Sequence, residues 1–92
     1  MKLTVKRIAA AECLPRRLIY EAPEGVTVRK LIDILSEEYG EEVRSDLLEN
    51  GEIADGALIM LNGISLLQPD VSLDSVMKDG DALLFTTMVY GG

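Results

Sequence analysis

The chemistry in this sequence is gathered at its end, where "TTMVYGG" runs from Thr86 to Gly92. Gly91 and Gly92 bring no side chain, so what they present is backbone and, at Gly92, an α-carboxylate. With glycine at about 7% of average usage, two glycines in the last two positions arise by chance in about 0.5% of chains, so chance explains them poorly. Without Cβ atoms the pair can pass through a channel too narrow for side chains and take dihedrals closed to other residues. A terminal carboxylate, with a reference pKa of about 3.3–3.7, is an ionised oxygen nucleophile at neutral pH. Its natural electrophile is the α-phosphate of ATP. A partner enzyme that brings ATP, magnesium and positive groups would convert it to an acyl-adenylate, open to displacement by sulfur or by an amine. The six residues from Thr87 onward would reach about 20 Å into such a partner at ~3.3 Å each.

The rest of the chain supplies no competing chemistry. Histidine is absent, which removes the usual general base, a common zinc ligand and any Ser/His/Asp or Cys/His system. Gly51, Gly56, Gly63 and Gly80 sit at turns without the Lys and Ser/Thr of a phosphate loop. Asp70, Asp74, Asp79 and Asp81 lack the spacing of a calcium loop, so no metal site is expected. Glu37/Glu38 and Glu41/Glu42 read as a solvated face around a helix end, and Cys13, beside Glu12, as an inert loop thiol. A standalone enzyme is therefore not expected, and the chain alone binds no cofactor.

Sixteen acidic residues face nine basic ones, a net charge of −7. Phosphate-backbone binding needs a clustered basic surface, and the pair Arg16–Arg17 stands alone, so nucleic acid is excluded. One cysteine leaves no disulfide framework and suits a reducing, cytoplasmic setting. Lys6 and Arg7 interrupt the N-terminal apolar run, and no stretch approaches the ~20 residues of a membrane span. No membrane association follows.

Residues 1–92 fit one domain with one core, aliphatic because aromatics are scarce. "KLTVKRI" alternates as a half-buried strand, and "RRLIYEA", starting after Pro15, pairs with it across a long loop. From Thr27, Val28, Leu31, Ile32, Leu35 and Tyr39 form one helical stripe, with Thr27 as N-cap and Gly40 at the C-terminal end. Residues 41–56 predict a short second helix and a turn-rich connection. "ALIMLNGISLL" predicts a hairpin turning at Asn62–Gly63. Leu73–Val76 suggests a helical turn, and Asp79–Asp81 a turn into the last strand, "ALLFTTMVY", whose near-continuous apolar run predicts a mid-sheet strand buried on both faces.

This order of elements, with "LNG" at 61–63, "LDSVMKDGDALLF" at 73–85 and the final Gly-Gly, resembles the ubiquitin-like group of the molybdopterin synthase small subunit and the thiamin sulfur carrier. The resemblance covers nearly the whole length. It implies an α+β ubiquitin-like β-grasp fold, a mixed five-stranded sheet packed on one main helix, ending in a flexible tail at about 87–92. It also implies that Gly92 is adenylated by an E1-like enzyme using ATP and magnesium, with Gly91 giving the tail access. A sulfur donor such as a cysteine desulfurase system then makes the thiocarboxylate. A molybdopterin synthase large subunit or its equivalent receives it for molybdenum or tungsten cofactor synthesis. Phe85, Met88, Val89 and Tyr90 would form the partner-binding surface, although Phe85 is as compatible with the core. Prolines frequent before the Gly-Gly of small-subunit relatives are replaced here by Thr87 and Met88, and Tyr90 is bulky where small residues are common. Three alternatives stand beside this reading: a thiamin or other sulfur carrier, a modifier forming isopeptide bonds to lysine, and a non-catalytic interaction module.

Overall fold

Alternation shapes the first hairpin. Leu3 and Val5 are buried while Lys2 and Lys6 are exposed, so β1 (Lys2–Arg7) turns one face inward. β2 (Arg17–Glu21) pairs with it antiparallel, Lys2 opposite Glu21 and Lys6 opposite Arg17. The computed structural model describes residues 1–88.

The helical stripe becomes α1 (Val28–Tyr39), whose Val28, Leu31, Ile32 and Leu35 are fully buried. The Thr27 hydroxyl accepts the Lys30 N–H at 3.1 Å, and the Gly40 N–H returns to the Ser36 carbonyl. Tyr39 departs from the expected stripe. It is 36% exposed at the last helical residue, and Ser36 takes the final buried position instead. Glu38, unfavourably placed for the helix dipole, has a tertiary role: it accepts the Tyr20 hydroxyl at 2.8 Å and ties α1 to β2.

Partial burial of the Tyr20 phenol, reinforced by the Glu38 carboxylate it donates to, pushes its pKa up to about 12. The folded state therefore holds this proton more tightly than the unfolded chain, whose tyrosines titrate near 10. The resulting stability is complete below pH ~10 and is lost as pH rises toward 12. Alkaline absorbance titration of the three tyrosines is expected to show one with a midpoint near 12. Tyr20→Phe should remove that phase; its persistence would show that another phenol carries it.

α2 (Glu42–Leu47) buries Val43 and Leu47 and is held to α1 by Arg44, which reaches Asp33 at 3.0 Å and Glu41 at 2.7 Å. The segment after it, expected as a turn-rich connection, folds into a second small hairpin of β3 (Leu48–Glu49) and β4 (Glu52–Ile53). Its turn is Asn50–Gly51, both at positive φ, as at Asn62–Gly63 between β5 (Ala57–Leu61) and β6 (Ile64–Ser65). Two successive positive φ values twist with the flanking strands, which is why Asn-Gly serves both hairpins.

Residues 73–76 are not helical. Ser75 N–H closes a turn on the Ser72 carbonyl, and Val76 bridges Thr27 at the start of α1. β7 (Ala82–Thr87) then enters the middle of a five-stranded sheet ordered β2-β1-β7-β5-β6, parallel to β1 and antiparallel to β5. Its mid-sheet place is as expected, but its burial is not. Leu83 and Phe85 are buried, whereas Ala82, Leu84 and Thr86 are half-buried on the other face. With α1 and α2 contributing to one core cluster, a single face of the sheet is covered.

Candidate functional site

β7 carries the chain toward Gly91 and Gly92, so the surroundings of its C-terminal end are the surroundings of the expected reactive tail. Gly91, Gly92, Val89 and Tyr90 lie outside the described residues. Thr87, expected to begin the tail, is instead the last residue of β7, paired with Ala57, and the Met88 N–H donates to the Gly56 carbonyl at 2.8 Å. These two residues therefore belong to the sheet. The four residues beyond them span at most about 13 Å when extended.

Phe85 requires a correction. Expected as part of a partner surface, it is 0% exposed, among the largest fully buried side chains, and its own backbone carbonyl accepts the Ile8 N–H. It points with Leu83 to the covered face, because alternate residues of a strand share a side. The surface that β7 does offer is the opposite one. Register places Leu84 between Lys6 and Met60, and Thr86 beside Leu58, so Leu58, Met60, Leu84 and Thr86 make a half-buried apolar strip with Lys6 at its side. A shallow apolar groove of ≈ 210 Å³ lies along it, lined by Lys6, Met60, Gly63, Ala82, Leu83 and Leu84. Sequence reasoning missed this strip by reading the apolar run of the last strand as covered on two sides.

Because β1 and β7 are parallel, the C-terminal end of β1 lies beside the C-terminal end of β7. Arg7 there donates its backbone N–H to Arg16 and its Nε to the Leu14 carbonyl at 2.8 Å, while Lys6 opposes Arg17. Arg16–Arg17 is thus not isolated. Four of the nine basic residues, Lys6, Arg7, Arg16 and Arg17, lie at the end of the β1–β2 pair that flanks the exit of β7, Lys6 and Arg17 on the uncovered face and Arg7 and Arg16 on the other, and among the described residues none of them forms an ion pair. A groove of ≈ 500 Å³ beside them is lined by Arg7, Ile8, Ala9, Glu12 and Arg16, with Ile8 61% exposed. In a chain of net charge −7, this is a local positive region next to the strand that leads to the tail.

No family model and no curated protein matches the sequence, but solved structures match the fold along nearly all of it. SAMP1 from Haloferax volcanii, a small archaeal modifier protein, superposes with a TM-score of 0.76 over 100% of both chains at 23% identity. Urm1 from Trypanosoma brucei gives 0.74 over 99% of this chain and 95% of its own, at 25% identity. A Pyrococcus furiosus protein assigned as molybdopterin converting factor subunit 1 gives 0.69 over 96% and 98%, at 27% identity. The chain is a ubiquitin-like β-grasp protein. The resemblance drawn from "LNG", "LDSVMKDGDALLF" and the strand order is borne out in this β-grasp sheet. No helix among the described residues is long and apolar enough to cross a membrane.

Proposed function

We propose that this β-grasp protein is a sulfur carrier whose reactive group is the Gly92 carboxylate, activated by an E1-like adenylating enzyme and serving molybdenum or tungsten cofactor synthesis. The observation that carries the reading is Gly91–Gly92 placed a few residues beyond the central strand of a β-grasp sheet. The solved structure assigned as molybdopterin converting factor subunit 1 supports the choice of pathway.

In this reading a carboxylate oxygen of Gly92 attacks the α-phosphorus of ATP on the partner enzyme and pyrophosphate leaves. The persulfide sulfur of a donor such as a cysteine desulfurase system then displaces AMP to give an acyl disulfide, and a thiol reductant cleaves its S–S bond to release the thiocarboxylate. A synthase large subunit accepts the loaded tail. ATP and magnesium belong to the activating partner, and this chain contributes the tail, the apolar strip beside β7 and the basic residues around its exit. The setting is the cytoplasm.

The test is the intact mass of the protein after incubation with a matched E1-like enzyme, ATP, magnesium and a sulfur donor. The expected gain equals the exchange of one oxygen for one sulfur, and deletion of Gly91 and Gly92 abolishes it. No gain with a partner of proven activity, or sulfur transfer that survives the deletion, overturns the reading. The likeness to a small archaeal modifier protein favours a second one, in which a lysine amine takes the place of sulfur and an isopeptide bond forms. Covalent adducts in lysate that depend on Gly92 would select it.

A further inference from the structure

β2 is one edge of the sheet, and its outer side is a self-complementary template. The Met1 and Ala22 backbones exchange hydrogen bonds of 2.8 Å, and the Arg7 N–H donates to the Arg16 carbonyl at 3.1 Å, in one unbroken register with β1. Antiparallel hydrogen-bonded pairs recur every second residue, so Leu18 and Tyr20 direct their backbone groups toward β1. Arg17, Ile19 and Glu21 therefore direct theirs outward. Among the described residues no strand pairs with that side. Ile19 is 50% exposed, and Arg17 and Glu21 flank it, both exposed.

We propose that the chain forms a two-fold symmetric homodimer by antiparallel pairing of β2 with β2 of a second copy, Ile19 opposite Ile19 and Arg17 opposite Glu21. Three properties meet in this one register. The outward backbone groups of residues 17, 19 and 21 face their counterparts, so all three pairs are hydrogen-bonded pairs and together supply six bonds. The side chains on the helix-free face become a central Ile–Ile contact between two pairs of opposite charge, each a favourable cross-strand pair. On the helix-covered face, half-buried Leu18 meets half-buried Tyr20 of the second copy.

Within one copy Arg17 lies directly opposite Lys6, an unfavourable like-charge pair. Glu21 of the second copy would stand on the other side of Arg17 and offset that repulsion. Glu21 already lies 3.5 Å from the Met1 amine, but its side chain is 74% exposed and keeps a second oxygen for Arg17. Edge strands usually carry charges that prevent pairing. One positive and one negative residue, equidistant from a central Ile, do the opposite when the strand meets its own copy. The other edge, β6, has two residues and offers no comparable ladder. The contact takes up Arg17 of the basic residues near the chain exit but lies two strands away from β7, so the strip along β7, with Lys6, Arg7 and Arg16, stays accessible in the dimer.

Sedimentation equilibrium across a concentration series up to about 1 mM, a range suited to a small interface, is expected to move the mass from 10.1 kDa toward twice that value. Arg17→Glu and Glu21→Arg should each weaken self-association by about ten- to a hundred-fold, since both cross-strand pairs turn repulsive. A mixture of the two variants should recover a heterodimer, because each then faces the opposite charge. A fold defect would not reproduce that rescue. In a Cys13→Ser background, Ile19→Cys should cross-link on mild oxidation, since paired Cα atoms at about 5.5 Å fall within disulfide reach. Glu21→Cys should not, its two copies being offset by about 13 Å along the strand. A monomeric mass at every concentration, including one accompanied by capture of a strand from another protein, overturns the proposal. So does a dimer indifferent to these charge reversals.

Discussion

Replacing Phe85 with Ala is expected to remove about 3–5 kcal/mol of folding stability, the usual cost of truncating a buried aromatic ring. Phe85 is the sole phenylalanine, fully buried, on the central strand, with β1 on one side and β5 on the other. The surrounding core would have to move to fill the space, and close-packed interiors relax only partly. At about 4–8 °C per kcal/mol for a domain of this size, the melting temperature should fall by about 12–40 °C. Thermal and denaturant unfolding measure this directly, and Phe85→Leu should recover much of the loss by refilling the cavity. The variant also separates two roles for the ring. If Phe85→Ala stayed within about 1 kcal/mol of the parent while losing an activating partner, the ring would be a docking group that the folded chain can expose.

How much of this was legible beforehand depends on whether the signal was local. The first hairpin, α1 with its Thr27 cap and the Asn62–Gly63 turn were read from periodicity and turn chemistry that act over a few residues. Asn50–Gly51 carries the same turn chemistry, but its flanking strands have two residues each, too short for alternation to register. The burial of β7 was misread because an apolar run does not say how many faces are covered. The element count did say: one long helix covers one face. Tyr39 keeps the angular position of the stripe yet is partly exposed, because periodicity fixes direction around a helix and not where the core stops. The gathering of Lys6, Arg7, Arg16 and Arg17 was invisible, since ten residues separate Lys6 from Arg16 and only the β1–β2 register joins them. Gly91 and Gly92 remain a sequence signal alone, with the described chain fixing the strand from which they depart.

That strand leads to the sharper test of the proposed function. Leu84→Asp is expected to leave the fold within about 1 kcal/mol of the parent, because Leu84 is half-buried on the uncovered face and the new carboxylate would lie beside Lys6. Binding to an activating enzyme should nevertheless fall by about 30-fold or more, equivalent to about 2 kcal/mol, as expected for a central contact. The reasoning is that a tail with little reach needs its base held against the partner, and the strip of Leu58, Met60, Leu84 and Thr86 is an apolar surface that runs along β7 toward that base. Ile64→Asp, on the β6 edge, is the control that should change affinity little. Titration calorimetry against the matched enzyme without ATP isolates docking from chemistry. Deleting Gly91 and Gly92 removes the reacting group but keeps the strip, so that variant should retain measurable docking while adenylation is lost. Leu84→Asp should show the converse, slow loading that recovers as enzyme concentration rises. If Leu84→Asp bound as tightly as the parent, the uncovered face would not be the docking surface, and the basic residues at the chain exit would be the next to test.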